Sequence, residues 1–201
     1  MSVLFIVDNS YSTNKYLKLY LDAVNGIINL QKKLYPQSLL TFATFNIKYN
    51  FHCVRKEIST LTRDMNSDDF KCDGITALYD CVTIILNNTI KFHNEIQTGP
   101  SLCIILTDGE DNASRKTNMR QCALQIAIAK SQGYKFIFLG TTEKSVEIGK
   151  RMGCEITILY EPSKKSLDNV LDIFTELLQH PNQKIDLDLR EITQGICDMK
   201  M

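Results

Sequence analysis

Apolar and polar positions along the chain alternate between short unbroken apolar runs and longer stripes at helical spacing. Val3 to Val7 is an unbroken run of the kind a strand buried on both faces shows. From Leu17 the apolar positions Leu17, Tyr20, Leu21, Val24, Ile27 and Ile28 repeat at three and four, which predicts a helix. Ser12 or Thr13 would cap its start, and Pro36 lies just beyond its end. Leu39 to Phe45 is a second strand. Ile47 to Val54, reached through Asn46, reads as its hairpin partner at a sheet edge. Residues 55–72 are polar and weakly patterned, a loop with room for one short helical turn.

Leu78, Cys81, Val82, Ile85 and Leu86 mark a second long helix. Leu102 to Leu106, entered after Gly99-Pro100, is a further buried strand. Met119, Cys122, Ala123, Ile126 and Ala127 mark a third helix that ends near Gly133, followed by a strand over Phe136 to Leu139. A short helix is expected around residues 143–151 and a last strand over Ile156 to Tyr160. Leu167, Val170, Leu171, Phe174, Leu177 and Leu178 form the stripe of a final helix that Pro181 stops. Strand–helix alternation of this kind predicts an α/β fold, Rossmann-like and doubly wound. Its sheet would be mostly parallel with one antiparallel edge strand, and helices would cover both faces. Residues 1–180 form the expected domain and 181–201 a C-terminal tail. That tail reads first as a surface-packed or loosely ordered segment, though the alternation Ile185-Asp186-Leu187-Asp188-Leu189 could add an edge strand, dock on a partner or support self-association into a homo-oligomer.

Composition narrows the class. At 201 residues and 44% hydrophobic content the chain can bury a full core without disulfide support. Its 23 Lys and Arg balance 23 Asp and Glu, so no bulk field draws it to nucleic acid or to an anionic membrane. Cys53, Cys72, Cys81, Cys103, Cys122 and Cys154 lie within or beside apolar segments. They read as small buried thiols in a reducing compartment. No basic leader precedes a long apolar stretch at the start, and no apolar run reaches the roughly 18 residues of a membrane span. The expectation is a soluble protein of the cytoplasm.

The candidate chemistry begins at Asp8-Asn9-Ser10-Tyr11-Ser12, directly after the first strand. An Asp at a strand tip followed by two hydroxyls at alternate positions puts hard oxygens on one short loop. Such a loop suits Mg²⁺, which prefers oxygen ligands and keeps positions open for water or a partner's oxygen. The same set suits Mn²⁺. Thr76 and Asp108, in Gly74-Ile75-Thr76 and Thr107-Asp108-Gly109-Glu110, could complete the site. Ligands of open parallel sheets bind outside the carboxyl ends of the strands, where Asp8 and Asp108 should both emerge. As plain structure, Asp8 would cap a helix and Asp108-Gly109 would mark a turn. Glu110 and Asp111 read as solvated loop acids, Asp73 and Asp80 as loop and helix-terminus groups. His52, His93 and His180 have no ligand spacing. Tyr11 would stand at the rim of the site or fold back over its loop.

These motifs, with Thr44-Phe45-Asn46 and the run Asp73-Gly74-Ile75-Thr76-Ala77-Leu78-Tyr79-Asp80, resemble the von Willebrand factor A domain over roughly residues 1–180. In that family such motifs build the metal-ion-dependent adhesion site. The resemblance implies that Ser10 and Ser12 ligate the ion directly, and that Asp8, Thr76 and Asp108 ligate directly or through water. It implies a protein partner whose Glu or Asp supplies the last ligand, and in responsive members a last helix, here residues 165–179, that moves with the metal shell. Ile75 stands where the family often has a small residue, and the compact intracellular A domains are the nearer likeness. A scaffold whose site never engages a partner in trans is the second reading. An aspartyl-phosphate hydrolase is a distant third. That chemistry needs a general acid two residues after the Asp, and Ser10 stands there. No Gly-rich phosphate loop is present either. The reading is therefore a binding module and not an enzyme.

Overall fold

The computed structural model describes residues 2–95 and 101–179, and for residues 92–95 the backbone alone. Strands β1 (Ser2–Asp8), β2 (Leu39–Phe45), β3 (Tyr49–Glu57), β4 (Ser101–Thr107), β5 (Tyr134–Gly140) and β6 (Ile156–Leu159) form one sheet in the order β3-β2-β1-β4-β5-β6. All neighbouring pairs are parallel except β2 with β3. The helices are α1 (Leu17–Leu34), α2 (Leu78–Glu95), α3 (Met119–Ser131), α4 (Glu143–Arg151) and α5 (Lys164–Gln179). The predicted doubly wound architecture with its antiparallel edge is the observed one. The expected tail over 181–201, its apolar alternation and the stop at Pro181 lie outside the described residues.

Alternation along the central strands feeds two cores. Val3, Phe5 and Val7 of β1 join Leu102, Ile104 and Leu106 of β4 under α1 and α5. Leu4 and Ile6 join Cys103 and Ile105 on the opposite face, under α2 and α3. Both sets are fully buried, which is why these strands read as unbroken apolar runs. A phenylalanine such as Phe5 contributes roughly 2–3 kcal/mol by leaving water, so few such positions can be lost.

The edge differs from its prediction. β3 starts at Tyr49, because Asn46 to Lys48 form a turn closed by Asn46 N–H to the Lys48 carbonyl and Lys48 N–H to Asn46 Oδ1. It runs on to Glu57 through two register shifts opposite Leu40 and Phe42, with Arg55 at φ 50°. The supposed loop at 55–72 thus contributes three residues of strand and two short 3₁₀ turns, Ile58–Thr60 and Ser67–Phe70. Isolated Ile58 and Phe70 fill the α1 face of the core, too sparse to show a period. Among the described residues all six cysteines are free thiols, four of them buried, and no helix is long and apolar enough to cross a membrane.

Candidate metal centre at the carboxyl edge of the sheet

β1 and β4 are adjacent and parallel, so Asp8 and Asp108 leave the sheet at the same edge. Asp8 is 1% exposed and Asp108 8%. The backbone N–H of Ser10 donates to Asp8 Oδ1 at 2.8 Å, and the Thr107 hydroxyl donates to Asp8 Oδ2 at 2.7 Å. Burial nonetheless dominates and pushes the Asp8 carboxyl up to about 6, against the lowering by these donors. Ser10 and Ser12 bring their hydroxyl oxygens to 3.1 Å.

The segment after Asp8 is not the helix start that the pattern suggests. Residues Tyr11–Tyr16 form a 3₁₀ turn, and α1 follows from Leu17 without a side-chain cap. Thr13, expected as a cap, instead turns inward and donates to the carbonyls of Ser10 (2.8 Å) and Asp8 (3.2 Å). The Ser10 hydroxyl is not spent on capping this turn and instead meets that of Ser12. The Thr76 loop is tied alongside, with Tyr11 N–H on the Gly74 carbonyl and Asp73 N–H on the Asn9 carbonyl. Gly74 sits at φ 69°, a conformation glycine adopts without strain. Asn46 holds the same loop through its side chain on the Asp73 carbonyl and its carbonyl on Ala77 N–H.

Thr76 is buried and bound to the loop after β4. Its N–H donates to Asn112 Oδ1, and its carbonyl accepts from the N–H groups of Asn112 and Ala113. Asp80 anchors the far end of that loop, accepting from the backbone N–H groups of Arg115, Lys116 and Thr117. Burial alone would raise the Asp80 carboxyl, but these donors carry it below its usual value. Asp111 is no free acid either: it accepts from the Ser114 hydroxyl at 2.6 Å. Glu110 is exposed and pairs with Lys144. His52 is structural, bonded to the Thr44 hydroxyl at 2.8 Å and packed on the Phe42 ring, while the side chains of His93 and His180 lie outside the described residues. Tyr11 (75% exposed), on the loop after Asp8, and Ile75 (55%), beside Thr76, are open to solvent.

The structure therefore brings Asp8, Ser10, Ser12, Thr76 and Asp108 to one edge. Thr13, Thr107 and Asp80, which the sequence offered only as a cap, a motif neighbour and a helix-terminus group, hold them there together with Asn112, which it did not single out. Among the described residues no three His, Cys, Asp or Glu side chains converge. A divalent ion here would need the hydroxyls to complete two carboxylates, a donor set that suits a hard cation. Asp108 Oδ1 is shut off from solvent without a hydrogen-bond partner. A buried acceptor in that state calls for a nearby donor, a cation or an ordered water. Tyr20, on α1, lies near both carboxylates, which add to burial in holding its hydroxyl proton.

No protein-family model matches the sequence, and no curated protein sequence matches it significantly. Solved structures do match in fold. The VWA domain of SpRpn10 aligns at 16% identity and a TM-score of 0.56 over 86% of this chain and 94% of that one. Manganese-loaded TRAP protein of Plasmodium vivax aligns at 14% and 0.58 over 87% and 72%. A von Willebrand factor type A protein of Catenulispora acidiphila aligns at 11% and 0.57 over 87% and 42%. The fold is that of von Willebrand factor A domains.

Proposed function

We propose that this chain is a metal-dependent protein-binding module without catalytic activity. In this reading Ser10 and Ser12 ligate a Mg²⁺ or Mn²⁺ ion directly, with Asp8, Thr76 and Asp108 ligating directly or through water. The observation that carries it is the pair of hydroxyls 3.1 Å apart on the loop after Asp8, at the sheet edge where buried Asp8 and Asp108 both emerge. The manganese carried by the P. vivax structure of the same fold supports the choice of ion.

Bound there, the ion would supply an electrophilic centre with an open position. Hydroxyl ligands leave its charge under-compensated, so an incoming Glu or Asp of a partner is favoured. Tyr11 and Ile75 flank that approach with exposed apolar surface. They suit a partner whose acid is neighboured by apolar side chains, since aromatic and apolar contacts supply affinity while the charge sets register. Asp8, held by Ser10 N–H and Thr107, keeps its oxygens fixed beside the loop. As a compact A domain of this kind the chain would work inside the cell.

Calorimetric titration of Mg²⁺ and Mn²⁺ into the wild type and into Asp8→Ala/Ser10→Ala tests the reading. One saturable site, lost in the folded double variant, supports it. Equal heats from both proteins, or none from either, would move the reading to a scaffold whose loop merely keeps the motif's shape.

A further inference from the structure

Asp108 does not stand alone at its inner oxygen. It directly follows Thr107, which pairs with Gly140, and Thr141 directly follows Gly140, so Asp108 and Thr141 leave β4 and β5 side by side. Leu106 and Leu139 face α1, so strand alternation returns residues 108 and 141 to that same face. Tyr20, buried on α1, lies close enough to Asp108 and Thr141 to interact with both. Its hydroxyl, Thr141 Oγ1 and Asp108 Oδ1 are each closed off from solvent; the Tyr20 and Thr141 hydroxyls lie close enough to interact, but neither they nor Asp108 Oδ1 has a well-formed hydrogen bond.

Orphaned polar atoms in a closed interior are costly, and a buried water usually satisfies about three of them at once. The valences match. A tyrosine hydroxyl can donate to the water, and the water's two protons can go to the carboxylate and the threonine oxygen. We propose that Tyr20 and Thr141 are positioning residues for Asp108, joined to its inner oxygen by one shared buried water. The link fixes the carboxylate against α1 and β5 and leaves its outer oxygen aimed at the loop edge. Its consequence for cation affinity rests on the metal-binding reading above; the link itself does not.

The test uses the full chain with Tyr20→Phe, Thr141→Val and the double variant, each of which keeps the buried bulk. Mn²⁺ titration by calorimetry is expected to show affinity about tenfold or more weaker in each single variant at unchanged stoichiometry, the size seen when outer-shell partners are removed. A purely packing role would leave that affinity where it was. Urea midpoints of the metal-free proteins are expected to fall in both single variants, with the double falling by less than their sum, because one water serves both groups. Where the wild type binds Mn²⁺, affinity decides, and unchanged affinity in both variants overturns the proposal. Where the wild type binds none, the metal-binding reading fails by itself and the midpoints decide: non-additive loss retains the link, and additive loss overturns it.

Discussion

Thr107 donates to Asp8 across 99 residues of sequence at 2.7 Å, and the same hydroxyl oxygen accepts the N–H of Gly109 at 2.9 Å. One side chain thereby fixes the carboxylate at the end of β1 and starts the turn that carries Asp108. Thr107→Val keeps the shape but strands Gly109 N–H and removes a donor from a buried carboxylate. The expected loss is about 1–3 kcal/mol in urea unfolding. A variant as stable as the wild type would mean that the contact does not organise the edge.

Gly109 turns at φ 83°, and a methyl group there would run into the Cβ of Ser145. Strain and overpacking act together, so Gly109→Ala is expected to cost about 2–5 kcal/mol and to lower the thermal midpoint accordingly. Differential scanning calorimetry reads this directly. A shift no larger than that of an exposed alanine substitution would contradict the packing described.

Asp80 offers a pH-dependent test. Its backbone donors hold the folded carboxyl below the ordinary 3.8, so its contribution is present above that value and is lost as pH falls through the lower folded value. Asp80→Ala is expected to cost on the order of 1 kcal/mol at neutral pH, since the group is partly exposed. The stability gap to the wild type should narrow steadily in acid below about pH 3.8. Unfolding curves at neutral pH and in acid give both numbers, and a gap that stays constant would be inconsistent with this role.

The central architecture was legible because β1 and β4 are buried on both faces, a demand that writes itself as unbroken apolar runs. The helical stripes of α1 and α5 showed for the related reason that each packs one face on the sheet. Residues Asp8, Ser10, Ser12, Thr76 and Asp108 stood out because each belongs to a short motif at a strand or helix end. Their supports did not stand out in that role. Thr107 and Asn112 act through partners far away in sequence, and nothing local distinguishes Asp80 from any acid in a first helical turn. Thr13 looked like a helix cap, yet its hydroxyl closes the loop on Asp8 and Ser10. The bulged course of β3 is set by pairing with β2, which its own mixed pattern does not reveal.

Thiol chemistry checks the core independently. Burial pushes the Cys81 and Cys122 thiols up to about 12, and Cys103 and Cys154 are buried as well, so their thiolates are scarce at pH 8. Among these six cysteines, only half-buried Cys53 and Cys72 are expected to react with an aromatic disulfide reagent before unfolding. Peptide mapping of the labelled protein would find label on Cys103 first if the central strands were open.

A crystal of the protein soaked with Mn²⁺ would locate the ion at the sheet edge by its anomalous signal. One peak is expected within ligand distance of Ser10 and Ser12 oxygens, bordered by Asp8, Thr76 and Asp108, with one coordination position held by water or a neighbour's carboxylate. A well-ordered edge with no peak there, or a peak held by other residues, would contradict metal binding at this site.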